Sequence, residues 1–200
     1  MKLYVFPVAP NPTKLRSYVA EKGIAIEQVM VDLREGAQRR PEFRAKNPLG
    51  RLPVLELDDG ECISESLPII EYLEELYPHP PMIGRTPLER LRVRSAERLV
   101  DTGVLGPTAL IVHATRSPLG LPPRPEMAGF FRARLDEALP LVDARLAAAP
   151  FVCGEHPTIA DCTLWAALGF ARFGEVEIPE RHRQIARWRD EFARRPGGSV

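Results

Sequence analysis

The chain has 200 residues, enough for one large or two small domains with a sizeable core, and its 27 basic and 27 acidic side chains cancel to a formal net charge of +0. A nucleic-acid binder carries a basic excess, so that partner class is excluded, and no apolar run approaches the roughly 18 residues of a membrane span. The opening Met1-Lys2-Leu3-Tyr4-Val5-Phe6-Pro7 lacks a signal peptide's long apolar region, and Cys62, Cys153 and Cys162 match neither a disulfide framework nor a zinc motif, so the expectation is a cytoplasmic protein with buried thiols and no metal.

Lys2 to Phe6 is a β-branched and aromatic run that reads as a first strand. Asn11-Pro12-Thr13 then opens a helix, with Asn as N-cap and Pro at the first helical position; Leu15, Tyr18 and Val19 make its apolar stripe and Gly23 ends it. Ile26 to Val31 is a second strand, and strand, helix, strand in about 30 residues predicts a parallel pair with a right-handed crossover. A polar, Arg-rich loop over 32–40 and a short helical segment over 41–47 follow. Leu52 to Leu57 and Glu61 to Ile63 are strand-length runs, and Asp58-Asp59-Gly60 between them fits an antiparallel hairpin with a three-residue loop. Ser66 caps the next helix, Pro68 falls in its first turn, and Leu67, Ile70, Tyr72, Leu73 and Leu76 have helical spacing.

Tyr77-Pro78-His79-Pro80-Pro81 cannot continue that helix. The reading is a first domain over 1–78, a linker over 79–86 and an all-helical domain over 87–200. Thr86-Pro87-Leu88-Glu89 has capping-box spacing and starts a helix through Leu91, Ser95 and Leu99 that kinks or splits at Gly103, Gly106 and Pro107. A loop over 118–125 precedes helices at about 126–148, with a bend near Pro140, at 158–173 and at 179–194. Thr158 and Asp161 stand three apart, so the hydroxyl can accept from the N3 amide while the carboxylate reaches back to the cap amide; Asp161 is read as structural.

Two features can do chemistry. Pro53 belongs at a strand's first position because it cannot donate to a ladder, which leaves the backbone of Leu52 free to pair elsewhere. Glu65-Ser66 at a helix N-terminus offers free N–H groups, a hydroxyl and a carboxylate, enough to hold the carboxylate and ammonium of an amino acid; an ordinary helix cap is the alternative.

Asn47-Pro48-x-Gly50-Arg51-Leu52-Pro53-Val54-Leu55, followed by Glu65-Ser66-x-x-Ile69-Ile70-x-Tyr72-Leu73, resembles the glutathione-binding core of the soluble glutathione transferases. Gly154-x-x-Pro157-Thr158-Ile159-Ala160-Asp161 and Ile185-x-x-Trp188-x-x-x-Phe192-x-x-Arg195-Pro196 are similar to that family's C-terminal segments, so the resemblance spans nearly the whole chain. It implies an α/β thioredoxin-like N-terminal domain followed by an all-α C-terminal domain, working as a homodimer. It also implies a cis Pro53, with Leu52 pairing through its backbone with the cysteinyl unit of glutathione and Glu65 and Ser66 holding the γ-glutamyl end. Gln38 falls where similar members contact the glycyl end, with Arg39 and Arg51 as nearby cations, and Asp101 where an acidic residue can reach the neighbouring subunit's glutathione.

Such enzymes stabilise the glutathione thiolate; a free thiol of pKa about 8.5 is only a few per cent ionised at pH 7. Ala9 stands where one type of the family has its serine, and Tyr4 lies one residue off the position of the tyrosine type, so it points to the opposite face and reads as core. Ala9-Pro10-Asn11 instead resembles a T-P-N segment of bacterial and fungal members, which makes Asn11 the candidate thiolate donor and Thr13 the next. Those members are associated with disulfide reduction as well as conjugation. Three functions follow as alternatives: conjugation of glutathione to a small hydrophobic electrophile, glutathione-dependent reduction of a disulfide, or non-catalytic binding of glutathione or a protein. Glutathione is a co-substrate in the first two and no other cofactor is implied. The second substrate is expected between the domains, against Pro7, Val8 and the segment 109–116, where His113 and Arg116 are within reach and His113 reads as packing.

Overall fold

The computed structural model describes residues 1–200. Its first half is β1 (Lys2–Val5), α1 (Pro10–Lys22), β2 (Glu27–Met30), α2 (Pro41–Arg44), β3 (Val54–Glu56), β4 (Cys62–Ser64) and α3 (Ser66–Leu76), with a 3-10 turn at Ala37–Arg39. The second half is helical: α4 (Pro87–Val100), α5 (Gly106–Arg116), α6 (Pro125–Ala148), α7 (Ile159–Phe173) and α8 (Arg183–Phe192). This is the thioredoxin-like α/β domain and all-α domain expected above.

The sheet has the order β2-β1-β3-β4, with β1 and β2 parallel and the other two pairs antiparallel. The hairpin closes as its sequence predicts: Leu57 N–H donates to Glu61 C=O at 2.8 Å, and Gly60 takes φ +91°, a value that a side chain disfavours. Because β3 runs against β1 and β4 against β3, the segments leaving β1, β2 and β4 and the one entering β3 all meet at one edge of the sheet. That edge carries every candidate site residue of the first half.

Alternation puts Leu3 and Val5 on one face of β1, where they pack with Leu15, Tyr18, Ile69, Ile70 and Leu73 of α1 and α3. The same apolar cluster takes in Val93, Ile159 and Cys162 from the helical half, so the two halves share a core along α1. Tyr4 faces the other way, edge-on to Phe43 at 6.1 Å, and is half-buried rather than core; its hydroxyl donates to Glu56 at 2.8 Å and the Lys46 ammonium lies 5.1 Å from its ring centre. A second cluster fills the helical half around Trp188, Phe192, Val100, Leu139 and Leu164.

Buried polar groups fix how these layers meet. Glu74 accepts from the Tyr18 hydroxyl at 2.6 Å, the Lys22 ammonium at 2.9 Å and the Met82 amide at 2.7 Å, which pins the chain between α3 and α4. Lys14 of α1 and Glu97 of α4 form an ion pair out of contact with water, and Thr163 of α7 donates to the same Glu97 oxygen at 3.2 Å. Asp161 accepts from the amides of Val152 and Thr158, the Thr158 hydroxyl and the Trp188 indole, at 2.8 to 3.1 Å. Desolvation still raises its carboxyl to about 6.

Several boundaries differ from the sequence reading. The cap of α1 is Ala9, with Pro10 and Asn11 already in the helix, because Thr13 Oγ1 donates to the carbonyls of Pro7 and Ala9, both at 2.9 Å, and Thr13 N–H to Ala9 C=O at 3.0 Å. Asn11 is therefore not an N-cap. The cap of α3 is Glu65 and Ser66 is the first helical residue. The break expected at Gly103 and Gly106 is a π-helical turn over Asp101–Leu105, where a Cβ on Gly103 would come within 2.7 Å of the Ala138 Cβ on α6. The α7 box, by contrast, forms as its spacing predicts, and the Thr158 hydroxyl also accepts from Ala160 N–H at 3.3 Å. α8 starts at Arg183 rather than Pro179, where Asp143 of α6 accepts from the amides of Gln184 and Ile185, both at 2.9 Å.

Candidate functional site

Two helices point their N-termini at the common edge of the sheet. In α1 the sequence Pro10-Asn11-Pro12 removes two of the first three amide donors, leaving that of Asn11. Asn11 is half-buried, its Oδ1 accepts from the Ser66 hydroxyl at the long distance of 3.5 Å, and its Nδ2 bonds nothing in the chain. The amides of Ser66 and Leu67 at the start of α3 are unpaired as well. Ser66 is buried, while Glu65 is exposed, unpaired with any cation, and held at φ +74°, an uncommon value for a side-chain-bearing residue that fixes where its carboxylate leaves the chain.

Leu52-Pro53 is a cis peptide at the entry to β3, and the N–H and C=O of Leu52 have no partner in the chain. Asn47, which the sequence reading placed in the family motif without a role, shapes this turn: buried, it accepts from Leu49 N–H at 3.1 Å and donates from Nδ2 to Arg51 C=O at 2.9 Å. An Asn before Pro48 is an ordinary turn signal, so composition alone does not reveal the role. Gly50, at φ +59°, packs so closely that a Cβ would come within 2.7 Å of the Gln38 carbonyl. Gln38 is thereby held beside the Leu52 turn, 5 % exposed, with its Oε1 unpartnered. Such a buried acceptor is uncommon in a folded chain. Arg39 and Arg51 are exposed and pair with no carboxylate. Asp101 lies in the π-helical turn of the other half, paired with Arg98 at 2.7 Å.

Beside this edge an apolar cleft of about 190 Å³ opens between the two halves, lined by Val8, Ala9 and Pro10 on one side and by His113, Phe170 and Phe173 on the other. His113 lines it as expected; Arg116 does not, being ion-paired with Glu175. The contributions of Phe170, Phe173 and Leu33 were not legible, since they come from elements far apart in sequence.

None of the chain's own thiols is a ready nucleophile. Burial pushes Cys153 up to about 11 and Cys162 well above the ordinary range, and raises Cys62 too. No three His, Cys, Asp or Glu side chains are grouped to hold a metal ion, and no helix is long and apolar enough to cross a membrane. The arrangement offers unpaired donors and acceptors for an extended polar ligand next to an apolar cavity, and no reactive group of its own.

Comparison with known proteins gives the same architecture. Residues 3–81 match the family model of the glutathione S-transferase N-terminal domain and residues 95–191 that of the C-terminal domain. The chain is 32% identical to glutathione S-transferase 2 of Saccharomyces cerevisiae, over 98% of this chain and 87% of that protein. It is 30% identical to glutathione S-transferase GstA of Escherichia coli O157:H7, over 98% and 94%. The crystal structure of Gtt2 from Saccharomyces cerevisiae superposes with a TM-score of 0.92 at 31% identity, covering 100% of this chain and 99% of that one. Two matched domain models and full-length relatives at this identity place the chain in the glutathione S-transferase family.

Proposed function

We propose that this protein is a glutathione transferase that binds glutathione along the common edge of the sheet and activates its thiol for attack on a small electrophile held in the apolar cleft. One observation carries this reading: unpaired backbone groups at Leu52, Ser66 and Leu67 and an unpaired Asn11 Nδ2 gather at one edge, next to a cavity with apolar walls. Glutathione is an extended peptide with two carboxylates, an ammonium and a thiol. In this proposal Glu65 takes the ammonium, Ser66 and the α3 N-terminus the γ-glutamyl carboxylate, the Leu52 backbone the cysteinyl unit, and Gln38 the glycyl end.

Asn11 is the thiolate donor in this scheme. The Thr13 hydroxyl has one hydrogen, already directed at the Pro7 and Ala9 carbonyls, which favours Asn11 over Thr13. The thiol loses its proton to water, an N–H of Asn11 and the positive end of α1 stabilise the thiolate, and sulfur attacks the electrophile as its leaving group departs with the bonding pair.

The apolar lining and small volume of the cleft favour conjugation over reduction of a mixed disulfide, which would bring a bulky polar partner. Turnover of a haloarene and of a glutathione mixed disulfide, each with glutathione, tests this. The haloarene should be the better substrate; faster disulfide turnover would make the protein a glutathione-dependent reductase, and neither would leave a binding protein. Division into a glutathione-binding domain (1–78) and a helical domain (87–200) around the linker 79–86, cytoplasmic residence and a homodimer belong to the same proposal. The dimer is supported by Leu88 and Leu91, 53% and 64% exposed on α4.

A further inference from the structure

Charge is spread unevenly along the edge of the sheet. Arg39, Arg40, Arg44 and Arg51 come from the two segments that meet where Gly50 packs on the Gln38 carbonyl, and all four are exposed. None pairs with a carboxylate: Arg44 donates to the Pro48 carbonyl at 3.2 and 3.1 Å, which ties α2 to the Leu52 turn and leaves its charge uncancelled. The other cations of this stretch are engaged, Arg34 by Asp32 and Lys46 by Glu56. Exposed Glu35 and Glu42 offset two of the four guanidinium groups, so the stretch keeps a surplus of two positive charges in a chain whose net charge is +0.

The acids of the hairpin do not cancel that surplus at the site. Asp58, Asp59 and Glu61 sit in the β3–β4 turn, and because β3 enters the sheet at the site edge, its turn lies at the opposite edge. Glu65, exposed and unpaired, marks the other end of the site at the start of α3. The site is therefore positive at the Gln38 end and negative at the Glu65 end. Glutathione has the matching polarity: its glycyl carboxylate stands alone, while the γ-glutamyl end carries a carboxylate and an ammonium that cancel, so the molecule is a net anion at neutral pH.

We propose that Arg39, Arg40, Arg44 and Arg51 act on the thiol substrate before contact: their surplus charge draws anionic thiol peptides to the Gln38 end of the site, so the speed of capture depends on the ligand's negative charge. The inference rests on the transferase reading for the identity of the ligand and goes beyond it in naming the favoured class, thiol peptides with an acidic third residue. Across about 10–15 Å of water two surplus charges act on a unit anion with an energy of roughly RT, so the signature is a salt-sensitive rate rather than tight binding. Steering of this kind works through the summed field and needs no fixed ion pair, which suits side chains that are fully solvated.

Stopped-flow absorbance of the bound thiolate, recorded against ligand concentration, gives kon from the slope and koff from the intercept. The ligands differ only at the third residue: glutathione, its glycyl ethyl ester with no net charge, and γ-Glu-Cys-Glu with one negative charge more. At roughly 10 mM ionic strength, where the Debye length is about 30 Å, Arg40→Gln/Arg44→Gln should slow capture of glutathione about 2- to 4-fold, capture of γ-Glu-Cys-Glu by about the square of that factor, and capture of the ester not at all. Glu35→Gln/Glu42→Gln, which enlarges the surplus and keeps the Arg44 bond to Pro48, should speed capture of the two anions by a similar factor. In about 1 M salt these differences should vanish. Slowing of all three ligands alike overturns the proposal and makes the arginines braces of α2. A change confined to koff overturns it too, by making them contacts of the bound ligand. Capture by the wild type at a rate indifferent to ligand charge overturns it while leaving the transferase reading intact, and failure of the wild type to bind any of the three removes both.

Discussion

The start of α7 and the starts of α1 and α3 are chemically alike and used in opposite ways. At α7 the exposed amides of a helix beginning are answered from within: Thr158 Oγ1 accepts from Ala160, and Asp161 accepts from Thr158, Val152 and Trp188. At α3 the first two amides are left open and the cap residue, Glu65, makes no side-chain cap bond; at α1 the cap is Ala9, which has no side chain to offer. A closed helix start holds a fold together, and an open one at a cleft is available to a ligand. The same backbone chemistry thus separates a structural motif from a candidate site by whether its donors already have partners.

The largest expected effect lies at the closed end. Asp161→Ala leaves the Val152 and Thr158 amides and the Trp188 indole without an acceptor in the core, each costing roughly 1–3 kcal/mol, so urea unfolding should show a loss of about 4 kcal/mol or more. A loss under about 1 kcal/mol would erase the distinction between the two kinds of helix start. The carboxyl also gives a pH signature. Its native pKa of about 6 lies above the ordinary 3.8, so between these values the native state holds a proton that the unfolded chain has released. Its contribution to stability is complete below the lower value and lost as pH rises through the upper one. Wild-type stability should therefore rise on going from pH 7 to 5, by more than in Asp161→Asn.

The next effect is at the open end. Ser66→Ala should weaken glutathione binding by about 1–3 kcal/mol in calorimetry, while changing unfolding stability by no more than about 0.5 kcal/mol. The reverse pattern, stable binding and lost stability, would make Ser66 part of a closed cap. The smallest is Asn11→Asp, which replaces the Nδ2 donor with a negative charge beside the bound sulfur. The thiol pKa, read from thiolate absorbance, should rise by about one unit, or about 1.4 kcal/mol. The fold should survive, since Asn11 is not the cap and an acid in a helix's first turn is favourable.

Much of this contrast was legible in residue order. Asp58-Asp59-Gly60, Gly23 and Thr86-x-x-Glu89 act over a few residues, and each forms the turn, stop or box that its chemistry predicts. The two open caps were misplaced by one or two residues because the cues, Asn11-Pro12 and Ser66-x-Pro68, favour a cap locally, while Thr13 bonding back to Pro7 and the positive φ of Glu65 depend on the loops before them. Asn11, Ser66 and the Leu52 turn could be named from the family resemblance, and their gathering at one edge followed from strand order. The cleft could not be assembled the same way: Val8, His113 and Phe173 meet only through packing between the halves. The Lys14–Glu97 pair was equally hidden, since charged residues on helices normally face water.

That pair bears on whether the two halves can be exchanged among relatives. One face of α1 packs under the sheet, another carries Lys14 into the helical half, and Glu21 near its end holds Arg195 at 2.7 Å and accepts from the Gly197 amide at 2.9 Å, close to the C-terminus. The helix that presents Asn11 thus belongs to both halves. A chimera that joins this sheet to a foreign helical half without a counterpart to Glu97 would leave a cation stranded in the core at the helix presenting Asn11. The transplantable unit is the whole chain, and variation is free mainly where the cleft walls meet without charge.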